Sequence, residues 1–380
     1  MRVVAVASSD SHLKWLSHLA SGAPPEWSFE NYVLGGTVSA RQIVAATEGT
    51  GVDAPTTVGI RAFAAVLQMT APDVVVLACD GPTLVALHYG AIRQAPPTVT
   101  VAATPGIALP ARARAAEARA GIDVFIVHSL AEQAAYRSLF DTRGAATRVA
   151  LAHLPSCRAQ PRDADADELV FATQAAVPRS SAERAWLLER LAASSAPQIV
   201  VHERTIGSET TAHAEEHPYR PLWDGLVSAG RFDADRLSFR HGPMSASLRR
   251  ASGLVTISST AALEAVAADV PIGIVADFGV DDTHLNRVFE SSGCLVRLAD
   301  GSFSDPKMPH AAWRRSNYFH PAELDDWAAV IADTAPTPGS ARPGPSRRAW
   351  WSATKAAVRR SARAAHVLDE RGGSDVVNTS

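Results

Sequence analysis

Short apolar runs bounded by polar residues recur along the chain, and most lead into a stretch whose apolar positions are three and four apart. "RVVAVAS" (2–8) predicts a buried strand, and "DSHLKWLSHLA" (10–20) predicts a helix capped by Ser9, Asp10 or Ser11. The alternation continues with a helix near 57–70, the strand "DVVVLA" (73–78) and a helix near 82–94. It then runs through the strands "TVTVAA" (98–103) and "DVFIVHS" (123–129), the helix "LAEQAAYRSLF" (130–140) and a short strand "RVALAHL" (148–154). Strands apolar throughout, alternating with helices, predict a parallel sheet covered on both faces.

Residues 155–168, "PSCRAQPRDADADE", have few large apolar side chains and interrupt this rhythm. A second series of the same kind follows: "ELVFATQ" (168–174), the helix 180–194, "PQIVVHER" (197–204), a helix near 221–229 and "LSFRHG" (237–242). A short helix at 245–250, "GLVTISS" (253–259), a helix at 260–268 and "PIGIVADFG" (271–279) complete it. The expected architecture is α/β, with two Rossmann-like parallel-sheet domains and a tail. The first domain spans 1–156, a linker 157–167, and the second domain 168–335. Residues 336–380 form a Pro/Gly-rich linker, "PTPGSARPGPS", and a basic tail.

Composition changes this picture little. A chain of 380 residues suits two domains. A net charge of -3 excludes a global pull toward nucleic acid. The odd number of cysteines, Cys79, Cys157 and Cys294, far apart and without C-x-x-C spacing, fits a reducing compartment and no zinc. No apolar run has membrane-spanning length, and the N-terminus lacks the pattern of a signal peptide. A cytoplasmic location is therefore expected. The tail is the exception: "RRAWWSATKAAVRRSARAAH" (347–366) carries six cations, no acid and the pair Trp350–Trp351. Such a segment suits the anionic inner face of a plasma membrane, or else a solvated surface.

Candidate chemistry is sought in the loops after strands, where open parallel sheets bind ligands. Neither G-x-G-x-x-G nor G-x-x-x-x-G-K-[ST] occurs at the expected places. Instead, the strand near 253 ends in three hydroxyls, Ser258, Ser259 and Thr260, at the start of a helix. One hydroxyl caps a helix; three suit a phosphate resting on its N-terminus. Glu264 has Ala261 three residues before it, so no capping box explains it, and a ribose hydroxyl would. Arg204 and His241 end neighbouring strands, with an exposed ion pair and a solvated loop as the plain alternatives. In the first half, Asp10 and Asp80 follow strands and are candidate bases, though each is also a natural helix cap; His12 stands beside Asp10. The D-x-D of "DADAD" (163–167) falls in the linker and is read as solvated rather than metal-binding.

"SGLVTISSTAALEAVAADVPIGIVADFG" resembles the nucleotide-binding segment of GT-B glycosyltransferases, above all the bacterial capsule enzymes that use CMP-activated Kdo or sialic acid. It is also similar to CDP-glycerol glycerophosphotransferases, which keep a Ser-Ser after the same strand. "LVFATQAAVPRSSAERAWLLERLA" with "VVHERTIGSETTAHAEEHPY" resembles a bacterial family assigned to the glycosyltransferases by name only, over about residues 1–330. The resemblance implies a GT-B-like pair of domains facing a central cleft, the second binding the donor. Ser258, Ser259 and Thr260 would hold its phosphate, Glu264 its ribose or base, and His241 and Arg204 would assist. His-Gly stands here where the sialyltransferases carry His-Pro, and Cys79-Asp80-Gly81 where they carry acid-acid-Gly. The implied reaction is inverting, metal-independent and cofactor-free transfer from a nucleotide sugar, preferably CMP-nonulosonic acid, to a glycan or lipid-linked acceptor. No Glu follows Glu264 at the retaining-enzyme spacing, since Ile272 stands there. Transfer of a polyol phosphate from a CDP donor and use of a UDP-sugar remain open, as does a non-catalytic sugar-nucleotide-binding protein.

Overall fold

The computed structural model describes residues 1–158, 161–175, 177–196, 198–203 and 216–342. The apolar runs form two parallel sheets. The first contains β1 (Arg2–Ala7), β2 (Ser28–Leu34), β3 (Thr56–Val58), β4 (Val74–Ala78), β5 (Val99–Ala103), β6 (Val124–Val127) and β7 (Arg148–Leu151). Its seven strands lie in the order β3-β2-β1-β4-β5-β6-β7, all neighbours parallel. Alternate residues of β1 show why these strands are apolar throughout. Val4 and Val6 enter one core with Leu77 and Phe125, while Val3, Ala5 and Ala7 enter another with Val76 and Trp15. Both faces are covered, so neither can be polar.

The second sheet contains β8 (Glu168–Ala172), β9 (Ile199–His202), β10 (Ser238–Arg240), β11 (Ala251–Thr256), β12 (Ile272–Val275) and β13 (Leu295–Val296). Its order is β10-β9-β8-β11-β12-β13, again all parallel. In each sheet the chain winds outward from the first strand in one direction, then returns and winds in the other. The reversal falls between β1 and β4 in the first sheet and between β8 and β11 in the second. Such a reversal opens a crevice at the carboxyl ends of the two central strands.

The described residues divide into two compact units, Met1–Pro155 with Pro321–Arg342, and Ser156–His320. The sequence reading gave 321–335 to the second domain; the structure gives it to the first. The helix Trp327–Ala332 packs against β6 and β7 and buries Trp327 and Ile331 in the core on that face of the first sheet, with Trp327 edge-on to Trp27 at 5.7 Å. Asp326 accepts the N–H of Leu151 at the end of β7. The expected linker from 336 is also packed as far as Arg342. Thr337 bridges to Thr98, Gly339 lies against the backbone of Ile92 and Arg93, and the buried Arg342 pairs with Asp123 at 2.7 Å. Part of the linker 157–167 lies along the second unit, where Asp163 pairs with Arg249 at 3.1 Å, so this acid of the D-x-D is not simply solvated. The basic tail and its tryptophan pair lie outside the described residues. Among the described residues no helix is long and apolar enough to cross a membrane.

Candidate functional site

At the reversal in the second sheet the three adjacent hydroxyls take three different roles. Ser258 is nearly buried and is held by Gln174, from the loop after β8. The N–H of Ser258 donates to Gln174 Oε1 at 2.8 Å, and Gln174 Nε2 donates to Ser258 Oγ at 3.0 Å. The Ser259 hydroxyl accepts the N–H of Ala261 at 3.1 Å and so caps the helix Ala261–Ala267. Thr260 occupies the cap position, yet its side chain makes no capping bond. The N–H groups of Ala262 and Leu263 turn back to the carbonyls of Ser259 and Thr260. The first-turn amides expected to face an anion are therefore spent within the turn. What remains, among the described residues, are the N–H groups of Ser259 and Thr260, the Thr260 hydroxyl and the O–H of Ser259, whose oxygen accepts from Ala261 while its hydrogen is unspent. Glu264 stands half-buried one turn further along.

The loops beside this crevice are tied down by buried polar groups. Arg184, buried on the helix Ser181–Ala192, donates to the carbonyls of Gln174, Ala175, Pro178 and His217 and lies 4.8 Å from the Tyr219 ring. In sequence it is one cation in a charged amphipathic helix, with nothing to mark it as buried. Thr256 Oγ1 donates to the carbonyl of Ala172, lacing β11 to β8. At the end of β10, His241 Nε2 lies 3.4 Å from Oε2 of the buried Glu203, whose other oxygen accepts the N–H of Arg220. His202 is buried between Ser247 Oγ at 2.8 Å and the carbonyl of Gly242 at 3.1 Å, and burial depresses its pKa, so it serves as a neutral strut. Arg204 lies outside the described residues.

The reversal in the first sheet gathers Asp10, His12 and Asp80. Ser8 donates its N–H to the carbonyl of Ala78, and the Asp80 N–H reaches Ser8 Oγ at 3.4 Å, so the two loops are stitched much as in the second unit. Ser9 is the cap of the helix Asp10–Ser21, which frees Asp10 from the capping role foreseen for it. Asp80 does cap its helix, Gly81–Gly90, accepting the Thr83 N–H at 2.9 Å behind Pro82. His12 Nδ1 lies 2.7 Å from Ser9 Oγ. Burial pulls its pKa down to about 4; Asp80 opposes that fall, Arg119 adds to it, and Asp10 opposes it more weakly. The imidazole is thus neutral at neutral pH, a proton acceptor with carboxylates close enough to act on it. Arg119 is buried, with its guanidinium over the Phe125 ring at 4.7 Å. Cys79, beneath Asp80, is fully buried, and burial pushes its thiol far above the ordinary range, which leaves it inert. The loop "TPGIALP" (104–110) is pinned by the buried Glu132, which accepts the N–H groups of Ala108 and His128, and by Tyr136 Oη, which donates to the Ala108 carbonyl.

Residues 3–334 match the family described as "Putative glycosyltransferase (DUF6716)". The chain belongs to that family. Its description makes the protein a glycosyltransferase, and the two parallel-sheet units have the expected GT-B-like architecture. No protein of curated function matches the chain. Among solved structures, the UDP-GlcNAc 2-epimerase from Methanocaldococcus jannaschii is similar at a TM-score of 0.58 and 10% identity, over 87% of this chain and 99% of that one. S. aureus MnaA, in a co-structure with UDP, has a TM-score of 0.55 and 10% identity, over 87% and 94%. The Neisseria meningitidis UDP-GlcNAc 2-epimerase bound to UDP-GlcNAc has a TM-score of 0.54 and 9% identity, over 88% and 99%. At these identities the likeness is one of fold.

Proposed function

We propose that the protein transfers a sugar from a nucleotide-activated donor to a glycan or lipid-linked acceptor, with inversion and without a metal. The observation that carries this reading is the set of donors left after the end of β11: the hydroxyls of Ser259 and Thr260 and two N–H groups, one turn before Glu264, at the reversal point of a glycosyltransferase-family chain. These donors suit a phosphate, and Glu264 suits a ribose hydroxyl or the base. His241, positioned by Glu203, and Arg204 are the further donor contacts of this proposal. Ser258 shapes the seat, while Ser259, whose oxygen accepts the Ala261 N–H, keeps its own hydrogen for the phosphate.

The base belongs to the first unit. His12, with Nδ1 engaged by Ser9, takes the acceptor hydroxyl proton on Nε2, and Asp80 and Asp10 stabilise the imidazolium that forms. The acceptor oxygen forms its bond to the anomeric carbon as the carbon–oxygen bond to the nucleotide phosphate breaks. The leaving phosphate keeps the electron pair, and the donors around Thr260 stabilise its charge.

The preferred donor is a CMP-activated nonulosonic acid, on the resemblance of the Ser-Ser-Thr segment. A UDP-sugar is the second reading, because the similar structures carry UDP or UDP-GlcNAc. Calorimetry with CMP, CDP and UDP separates them. We expect binding of CMP, weakened at least about tenfold in Thr260→Val. Tight UDP binding without CMP binding would transfer the proposal to the second donor, and binding of none would end it.

A further inference from the structure

We propose that Gln174 completes the phosphate seat from the β8 side, donating its second amide hydrogen to a phosphate oxygen of the donor; this rests on the reading of the second unit given above. Ser258 faces the side-chain amide of Gln174. The Ser258 N–H can only donate, so the oxygen of the Gln174 amide must be the atom at 2.8 Å, and the nitrogen is then the atom beside Ser258 Oγ. A primary amide nitrogen carries two hydrogens, and Ser258 Oγ takes one of them. The side chain is half-buried, and among the described residues its nitrogen has no other acceptor. The backbone of Gln174 is itself held, its carbonyl accepting from the buried Arg184 at 3.2 Å. The second N–H is therefore held in the loop after β8, whose neighbour β11 leads into the loop that carries Ser259 and Thr260. The latch and the contact are one side chain: the face that locks Ser258 sets the direction of the hydrogen that remains.

Gln174→Glu separates the two roles. A carboxylate still accepts the Ser258 N–H, and Ser258 Oγ, 3.2 Å from Oε1, can donate to it, so the latch survives. The remaining hydrogen is replaced by a negative charge. We expect an unchanged melting temperature and a loss of nucleotide affinity of about tenfold or more by calorimetry with CMP, CDP and UDP. Affinity equal to wild type would overturn the contact and leave a latch alone. Should the variant not fold, selective 15N labelling of glutamine side chains in the wild-type chain decides the matter. One Gln174 amide proton is expected to shift on titration with the bound nucleotide, and an unmoved pair overturns the proposal. Loss of binding in Thr260→Val without loss in Gln174→Glu sinks this inference only. A wild-type chain that binds no nucleotide sinks the underlying reading and this inference with it.

Discussion

Three consecutive hydroxyls at the end of one strand have the same chemistry and different fates. Ser258 locks a neighbouring loop, Ser259 caps a helix, and Thr260 keeps its hydroxyl available. The sequence signals the surplus of hydroxyls, but the direction of each follows from backbone angles at the turn and from Gln174, which is 84 positions away from Ser258. His12 shows the same limit. It was legible as a polar residue after a strand, whereas its neutrality follows from burial that only packing supplies. The consequence can be measured. The unfolded imidazole takes a proton near 6.5 and the folded one near 4, so between these values the unfolded state binds more protons. Stability is retained above that window and is lost as the pH falls through it. In urea unfolding at pH 7 and pH 4.5, the wild type is expected to lose roughly 2 kcal/mol more than His12→Gln. Equal losses in the two chains would remove the argument for a neutral imidazole in the folded protein.

At the scale of elements, the strands covered on both faces were readable and those near the edges were not. β4 and β6 are apolar and buried throughout. β2 and β3, which went unforeseen, mix polar and half-exposed residues because they lie toward one edge of the first sheet. The two-residue β13 is too short to show a period at all. The last helix, Trp327–Ala332, went unforeseen as an element, and its residues were expected in the second domain. Its Trp327 and Ile331 have the spacing of any amphipathic helix, and only the packing of one face of β6 and β7 determines where they go. Trp327→Ala is expected to destabilise the first unit by about 3 kcal/mol. Hydrogen exchange should show the loss in β1, β6 and β7 and leave β8 and β11 protected; uniform loss would refute the assignment of this helix.

At the scale of the molecule, the described chain ends at Arg342, which is buried against Asp123, Thr100 and the carbonyls of Thr98 and Gly121. The basic segment 347–366 begins five positions further along the sequence and lies outside the described residues. Removing residues 343–380 is expected to abolish co-sedimentation with vesicles containing anionic lipid while leaving nucleotide binding intact. Unchanged co-sedimentation would exclude the tail as the membrane contact. Taken alone, the sequence determined the α/β class, two parallel sheets, most central strands and the loops in which polar residues collect. These follow from burial period and from short-range turn chemistry, both of which are written locally. Tertiary structure alone decided which hydroxyl stays available, which histidine is neutral, which arginine is buried and which unit receives the last helix. Each of those depends on partners distant in sequence, and no local pattern encodes them.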